Sequence, residues 1–402
     1  MKEKTILHVD VNNFFASVEC STHPELKDKP VAVTGNPEKR TGIILAKNDI
    51  AKKFGVKTGE AIWEAKQKCA DLVTLAPHYE LYQKISAELQ ELYQNYTDLI
   101  EPMGLDECWL DVTASLKYLG KSGKEIADEI RQIVKEQFGF TVSVGVSFSK
   151  IFAKLGSDYK KPDATTVFSR DNFKQKAYPL PLNSIVGIGR KLTAKFEKMN
   201  INTIGDFVNL DENFVEQITN KAGHELWLKL RGEYDEKVEN FYESHPPKSI
   251  GNGTTTVVDV TTREDIEKVL TFLCEKIANR MKDSNFQAST VGVTVKTADF
   301  HYYHHNKTFA AFRSNEDLYK NAINVLNTFW DFSKPVRAIR VSVSNLKSLE
   351  KTEQLSFFGQ EANELTDAIN EIKEKFGRDK IFIASDTTSF INRKNKDEEH
   401  PQ

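Results

Sequence analysis

The stretch Met103-Gly104-Leu105-Asp106-Glu107-Cys108-Trp109-Leu110-Asp111 sets the hardest condition on any fold of this chain. It places two adjacent acids in an otherwise apolar segment, and a buried carboxylate is costly unless it is paired, hydrogen-bonded or bound to a metal. No Lys or Arg lies within the stretch, so the counter-charge must come from elsewhere in the fold or from a metal ion. Successive strand residues point to opposite faces. Asp106 and Glu107 therefore converge only if they sit at the turn before a strand running from Cys108 to Val112.

A third acid has similar surroundings. In Thr5-Ile6-Leu7-His8-Val9-Asp10-Val11-Asn12-Asn13-Phe14-Phe15, the apolar Ile6, Leu7 and Val9 predict a buried strand. Asp10 falls at its C-terminal end, where the chain turns into a helix marked by Phe14, Phe15, Val18 and Glu19. Strand ends of open sheets are where sites are built. Asp10, Asp106 and Glu107 meeting on one side of a sheet would suit two Mg²⁺ ions, which prefer hard oxygen ligands and share them with substrate phosphates. Two such ions about 3.5–4 Å apart clamp the attacking and leaving oxygens of an in-line phosphoryl displacement. Taken alone, the same residues also fit a helix cap at Asp10 and a turn at Asp106.

At 402 residues the chain exceeds one ordinary core, and about two to four domains are expected. Its 55 basic and 58 acidic residues nearly cancel, so a polyanion surface requires segregated charge. Residues 149–200 hold eleven Lys/Arg against four Asp/Glu, residues 248–347 fourteen against ten, and residues 348–402 eight against twelve. A basic middle beside an acidic site suits a polyanion held by metal at one end and by Lys/Arg along its length. Four scattered Cys without a C-x-x-C argue against a zinc site or a disulfide framework and for a cytoplasmic protein. The few residues before Asp10 are too short for a signal peptide, and no apolar run approaches the roughly 20 residues of a membrane span.

Along the chain, Pro30 to Gly35 predicts a short strand, and Gly42 to Gly59 a strand running into a helix closed by Gly55. Lys47, Lys52, Lys53 and Lys57 make that segment cationic, as a triphosphate requires. Helices are expected over 79–98 and 122–138. A strand is expected from Phe140 to Phe148, then a helix bearing Lys150, Lys154, Lys160 and Lys161 that ends at Pro162. Ile185-Val186-Gly187-Ile188-Gly189-Arg190-Lys191 is a glycine-rich turn opening a helix, whose free amides and basic flank attract an anion. Residues 233–248 read as a linker. Beyond them Gly253–Val260, Arg263–Lys282, Ala288–Thr297, Lys307–Phe312, Glu316–Phe329 and Val336–Leu346 give a β-α-β-β-α-β order. His301-Tyr302-Tyr303-His304-His305 is read as an exposed hairpin loop rather than a metal site.

Asp10 with Phe14-Phe15-Ala16-Ser17-Val18-Glu19, then Lys53-Phe54-Gly55-Val56-Lys57, Leu105-Asp106-Glu107 and Ser143-Val144-Gly145-Val146-Ser147 with Lys150 to Pro162, resembles the Y-family DNA polymerases of the bacterial translesion type. The likeness covers roughly residues 4–358. It implies an α+β multidomain right hand. The palm would take residues 1–20 and 78–168, the fingers 21–77, a helical helix-hairpin-helix thumb 169–235, a linker 236–247, a β-α-β-β-α-β little finger 248–347 and a tail 348–402. It implies Asp10, Val11, Asp106 and Glu107 as ligands of two Mg²⁺, with Glu107, Asp106 and Asp10 catalytic. Phe14, Phe15, Lys52 and Lys161 would lie on the nucleotide, with Phe15 excluding ribonucleotides. Gly187, Gly189, Arg190 and Lys191 would hold a DNA strand. Its partners would be primer-template DNA, dNTPs and a sliding clamp, with no membrane, and the protein would act as a monomer. Two departures stand out: Asp49 and Lys52 occupy positions where many relatives carry Tyr and Arg, and Gly104 stands where Ser is usual.

The resulting expectation is a template-directed, low-fidelity polymerase without proofreading. A palm-domain nucleotide cyclase and a non-catalytic DNA-binding scaffold are the alternatives. Near the end, Leu355, Phe357 and Phe358 follow Gln354 as an apolar cluster in a polar neighbourhood, which marks a partner site and resembles a clamp-binding peptide.

Overall fold

The computed structural model describes residues 3–36, 42–234, 236–243 and 246–349. They form two compact units, one up to residue 243 and one from residue 246. The expected clamp-binding residues Gln354, Leu355, Phe357 and Phe358 lie outside the described residues.

In the first unit, β1 (Ile6–Val11) is buried along its whole length and leads into α1 (Phe14–Thr22). A small three-stranded sheet follows, built from β2 (Val31–Thr34), β3 (Ile44–Lys47) and β4 (Val73–Leu75), with α2 (Asp49–Lys53) and α3 (Ile62–Lys68) between the last two. The chain then returns through α4 (Tyr79–Gln94) to the hairpin of β5 (Ile100–Met103) and β6 (Glu107–Asp111). After α5 (Leu116–Leu119), α6 (Gly123–Phe138) illustrates how local sequence dictates an element. Ser122 and Glu125 form a capping box, Ile126, Ala127, Ile130 and Val134 line one face, and Gly139 at φ +74° takes the left-handed position that ends the helix. Then β7 (Val142–Ser147), α7 (Lys150–Tyr159) and β8 (Thr165–Phe168) complete a five-stranded sheet of order β5-β6-β1-β7-β8.

The strand register makes the two faces of this sheet chemically different. Leu7, Val9 and Val11 pair with Leu110, Cys108 and the valines of β7, and this apolar face packs on α4 and α6. On the other face His8 lies opposite Trp109 and Gly145, and Asp10 opposite Glu107 and Ser143. Helix α7 covers that polar face at backbone distance. A Cβ on Gly145 would stand 1.9 Å from the Ala153 carbonyl oxygen and 2.6 Å from the Ser157 nitrogen, so glycine is required there.

Helix α7 stops at Tyr159, so Lys160 and Lys161 lie beyond it rather than on it. The proline at 162 disfavours helical backbone at Lys161, and the chain turns away one residue earlier. Five short helices follow: α8 (Phe173–Ala177), α9 (Arg190–Glu197), α10 (Ile204–Val208), α11 (Glu212–Ile218) and α12 (Lys221–Arg231). They share an apolar core with α7 through Phe152, Phe196, Phe207 and Trp227. Within the stretch read as a linker, Val238 is buried against Ile6, Trp109 and Ala153, and Phe241 packs on the main core.

The second unit has the order β9 (Ser249–Val260), α13 (Arg263–Asp283), β10 (Phe286–Thr297), β11 (Tyr302–Phe312), α14 (Asn315–Leu326) and β12 (Val336–Ser344), plus a short β13 (Lys347–Ser348). Its sheet runs β11-β10-β12-β9, with both helices packed on the face that carries Val291, Val293 and Val295. The histidine cluster is not a loop. Tyr302 to His305 pair with Lys296 to Val293 within β11, and the turn is confined to Ala298–His301, with Phe300 at φ +68°. Cross-strand pairing recruits these residues, and His304 Nδ1 bonds Thr294 Oγ1 at 2.9 Å. The other face of the sheet presents Thr290, Thr294, Lys296, Tyr302, His304, Asn306 and Arg340.

Candidate active site

The structure brings Asp10 and Glu107 side by side and leaves Asp106 in the preceding turn. Asp10 and Glu107 are register partners on β1 and β6, and the Asp106 carbonyl accepts from the Val11 amide at 2.9 Å. Gly104 takes φ +82° in that turn, and a Cβ there would sit 3.5 Å from Asp106 Oδ1. The departure at 104 is thus matched to a left-handed turn in which a serine would be strained.

The counter-charges come from α7 and the loop after it. Lys154 Nζ lies 2.9 Å from Asp10 Oδ2, 3.0 Å from Glu107 Oε1 and 3.1 Å from Asp158 Oδ2. Lys161 Nζ lies 2.7 Å from Asp10 Oδ2 and 2.8 Å from Asp158 Oδ1. Burial works against the charged form of both lysines, but the facing carboxylates, Asp10 foremost, together outweigh it and hold their pKa values above the ordinary range. His8, completely buried, points Nε2 at Glu107 Oε2 across 3.4 Å, without a well-directed hydrogen bond. Its Nδ1 lies 2.9 Å from Ser157 Oγ, whose hydroxyl donates to the Lys154 carbonyl. Burial lowers the His8 pKa, whereas Glu107, despite its own burial, is held below the carboxylate range by His8 and Lys154.

Asp106 is the exception. Burial, then Asp10 and Glu107, push its carboxyl up to about 6. Four carboxylates here face two ammonium groups, so the cluster is short of positive charge. All the nearby donors are hard carboxylate oxygens apart from one imidazole, and His8, Asp10 and Glu107 present ligand atoms within 4.8 Å of one another. These residues fit a divalent cation.

The other expected residues lie on separate elements. Phe14 is buried and Phe15 half-buried at the start of α1, directly after the turn made by Asn13 at φ 56°. Asn13 Nδ2 donates to Asp49 Oδ1 at 3.1 Å, so Asp49 ties α2 to that turn, and Lys52 is exposed on the last turn of α2. Lys161 is turned into the carboxylates. Gly187, at φ +94°, and Gly189 both face open space, and Arg190 and Lys191 are exposed on the first turn of α9; that turn holds no acid, and no side chain caps it. Sequence reasoning did not assign His8, Lys154, Ser157 or Asp158 to the site. A lysine inside the apolar run Ile151-Phe152-Ala153-Lys154-Leu155 was the available signal, since such a group is rarely buried unpaired.

Residues 9–158 match the model of the impB/mucB/samB family, and residues 247–357 match that of the family's C-terminal domain. The chain is 40% identical over 381 residues to DNA polymerase IV of Acetivibrio thermocellus, spanning 93% of this chain and 95% of that protein. It is 35% identical to DNA polymerase IV 2 of Halalkalibacterium halodurans, with 93% of each covered. A solved Y-family DNA polymerase chimera of Dbh and Dpo4 superposes with a TM-score of 0.75 at 29% identity, covering 86% of this chain and 99% of that one.

Proposed function

From the membership of this chain in the impB/mucB/samB family, the Y-family DNA polymerases, we propose the residue-level mechanism that follows. The protein is a DNA-directed DNA polymerase of the translesion type, dependent on a divalent metal and acting on DNA and dNTPs. Its fold is the α+β right hand with palm, fingers, thumb and little finger. No helix among the described residues is long and apolar enough to cross a membrane.

One observation carries the assignment of the centre: Asp10 and Glu107 stand side by side on β1 and β6, and Asp106, in the turn before β6, feels both their charges and has no ammonium group at ion-pair distance among the described residues. We assign Asp10, Asp106, Glu107 and the Val11 backbone to two Mg²⁺ ions. When bound, the ions would supply charge stabilisation at the α-phosphorus and acidify the primer 3′-OH. The chain's own groups do the rest. Glu107 is kept ionised by Lys154 and fixed by His8. Lys161, a third exposed, is the group free to leave Asp10 for a phosphate oxygen once the carboxylates are otherwise neutralised. Lys52 on α2 approaches the same triphosphate, with Phe14 and Phe15 beneath the sugar. Arg190 and Lys191, with the amides around Gly187 and Gly189, take a DNA phosphate. The open β-sheet face of the second unit, with Lys296, Arg340 and hydroxyls but no acid among the residues named above, suits a DNA backbone. Palm, fingers, thumb, linker, little finger and tail take the boundaries set out above. The protein works as a cytoplasmic monomer, without proofreading, and Gln354, Leu355, Phe357 and Phe358 engage a sliding clamp.

Primer extension on an undamaged template with Mg²⁺ and dNTPs tests this reading. Asp106→Ala and Glu107→Ala are expected to abolish nucleotide addition and to leave DNA binding in place, because the basic surfaces are separate from the carboxylates. Wild-type extension by either variant would overturn the assignment.

A further inference from the structure

Beneath Phe15 lies a polar anchor. The Phe15 ring stacks on Tyr82 with centroids 4.3 Å apart and planes at 12°, and Tyr79 meets both rings edge-on at 6.0 Å. Tyr82 is fully buried, and its hydroxyl donates to Glu19 Oε1. Burial raises the Tyr82 pKa and the Glu19 bond raises it further, so the phenol remains a donor. Glu19 is itself 1% exposed and sits one turn after Phe15 on α1. Its remaining partner is His78, whose Nδ1 lies 2.9 Å from Oε1 and 3.1 Å from Oε2. A carboxylate this deeply placed has to be held by hydrogen bonds, and one of the two groups holding it, Tyr82, is the ring stacked behind Phe15.

We propose that Glu19 is a positioning residue for sugar selection, acting through Tyr82 to fix the height and tilt of the Phe15 ring. The inference rests on the reading of Phe15 as the ring under the sugar. Stacking by itself leaves one ring able to slide across the other, because the energy of offset aromatic pairs is nearly flat along the plane. The Tyr82–Glu19 bond removes that freedom. It fixes Tyr82, which in turn fixes Phe15, whose own side chain carries no polar group to orient it. Room for a 2′-hydroxyl opens with a shift of about 1 Å, the scale on which positioned sites lose about a hundredfold.

The test measures kcat and KM for a dNTP and its matching rNTP, with thermal melting of each variant alongside. Tyr82→Phe keeps the ring and deletes the donor. It is expected to lower dNTP-over-rNTP selectivity about tenfold, the worth of one hydrogen bond, through better use of the rNTP rather than poorer use of the dNTP. Glu19→Leu is expected to match it, whereas Glu19→Gln, whose amide oxygen still accepts from Tyr82, retains most of the selectivity. Adding Tyr82→Phe to Phe15→Ala should change nothing further, since both act on the same ring. If Phe15→Ala relaxes selectivity while Tyr82→Phe preserves it, the proposal fails and the reading of Phe15 stands. Unchanged selectivity in Phe15→Ala removes that reading and the proposal with it. Should Glu19→Leu not fold, Tyr82→Phe decides.

Discussion

Asp106→Asn is expected to make the metal-free protein more stable while making it inactive. The carboxyl of Asp106 titrates near 6 instead of 3.8, burial being the first cause and the charges of Asp10 and Glu107 the next. Each pH unit of such a displacement corresponds to about 1.4 kcal/mol, so the ionised group costs the fold at most about 3 kcal/mol. Asp106 is partly open to solvent, and screening reduces this to about 1–2 kcal/mol. A neutral amide of the same shape removes the repulsion. For a unit of this size about 1–2 kcal/mol raises Tm by about 2–6 °C. The folded pKa lies above the unfolded one, so the penalty is absent below about pH 3.8, grows as pH rises and is complete above about pH 6. Melting curves in EDTA at pH 8 should therefore show the full gain for Asp106→Asn, and those at pH 5 about half of it. Adding Mg²⁺ should reverse the order, because wild type gains a ligand-linked stabilisation that the variant lacks. A variant less stable than wild type in EDTA at pH 8, or a gain equal at both pH values, would refute the electrostatic account of this site.

Three further outcomes are expected. Lys154→Met leaves Asp10 and Glu107 short of a buried partner and is expected to cost about 3–5 kcal/mol in urea unfolding with EDTA, part of it recovered with Mg²⁺; equal losses in both conditions would argue against charge as the cause. Gly145→Ala drives a methyl into the Ala153 carbonyl at 1.9 Å, so α7 must lift from the sheet, with Tm falling and nucleotide addition with it as Lys154 leaves the carboxylates. Leu355→Ala with Phe358→Ala is expected to lower processivity with a loaded clamp and to leave clamp-free extension unchanged; equal clamp stimulation of mutant and wild type would reject that contact.

The sequence by itself determined the elements and where the acids lie on them. Strand β1 with Asp10 near its end, the turn that holds Asp106, the capped helix α6 and the β-α-β-β-α-β order of the second unit are all written in alternation, helical spacing and caps. Such signals act within a turn or two of backbone, so a short window contains them. Tertiary structure alone decided what neutralises the acids. Lys154 reaches Asp10 from 144 positions away, and Lys161 from 151. Those contacts depend on β7 pairing with β1 in one register and on Gly145 letting α7 settle against the sheet. Tyr302 to His305 joined a strand for the same kind of reason, a neighbouring strand overriding the local pattern, whereas Lys161 left its expected helix because Pro162, a local signal, acts on the residue before it. A charge buried at a sheet end can be recognised from its apolar flanks. The partner that makes its burial tolerable is chosen by the packing of distant segments, which no local pattern encodes.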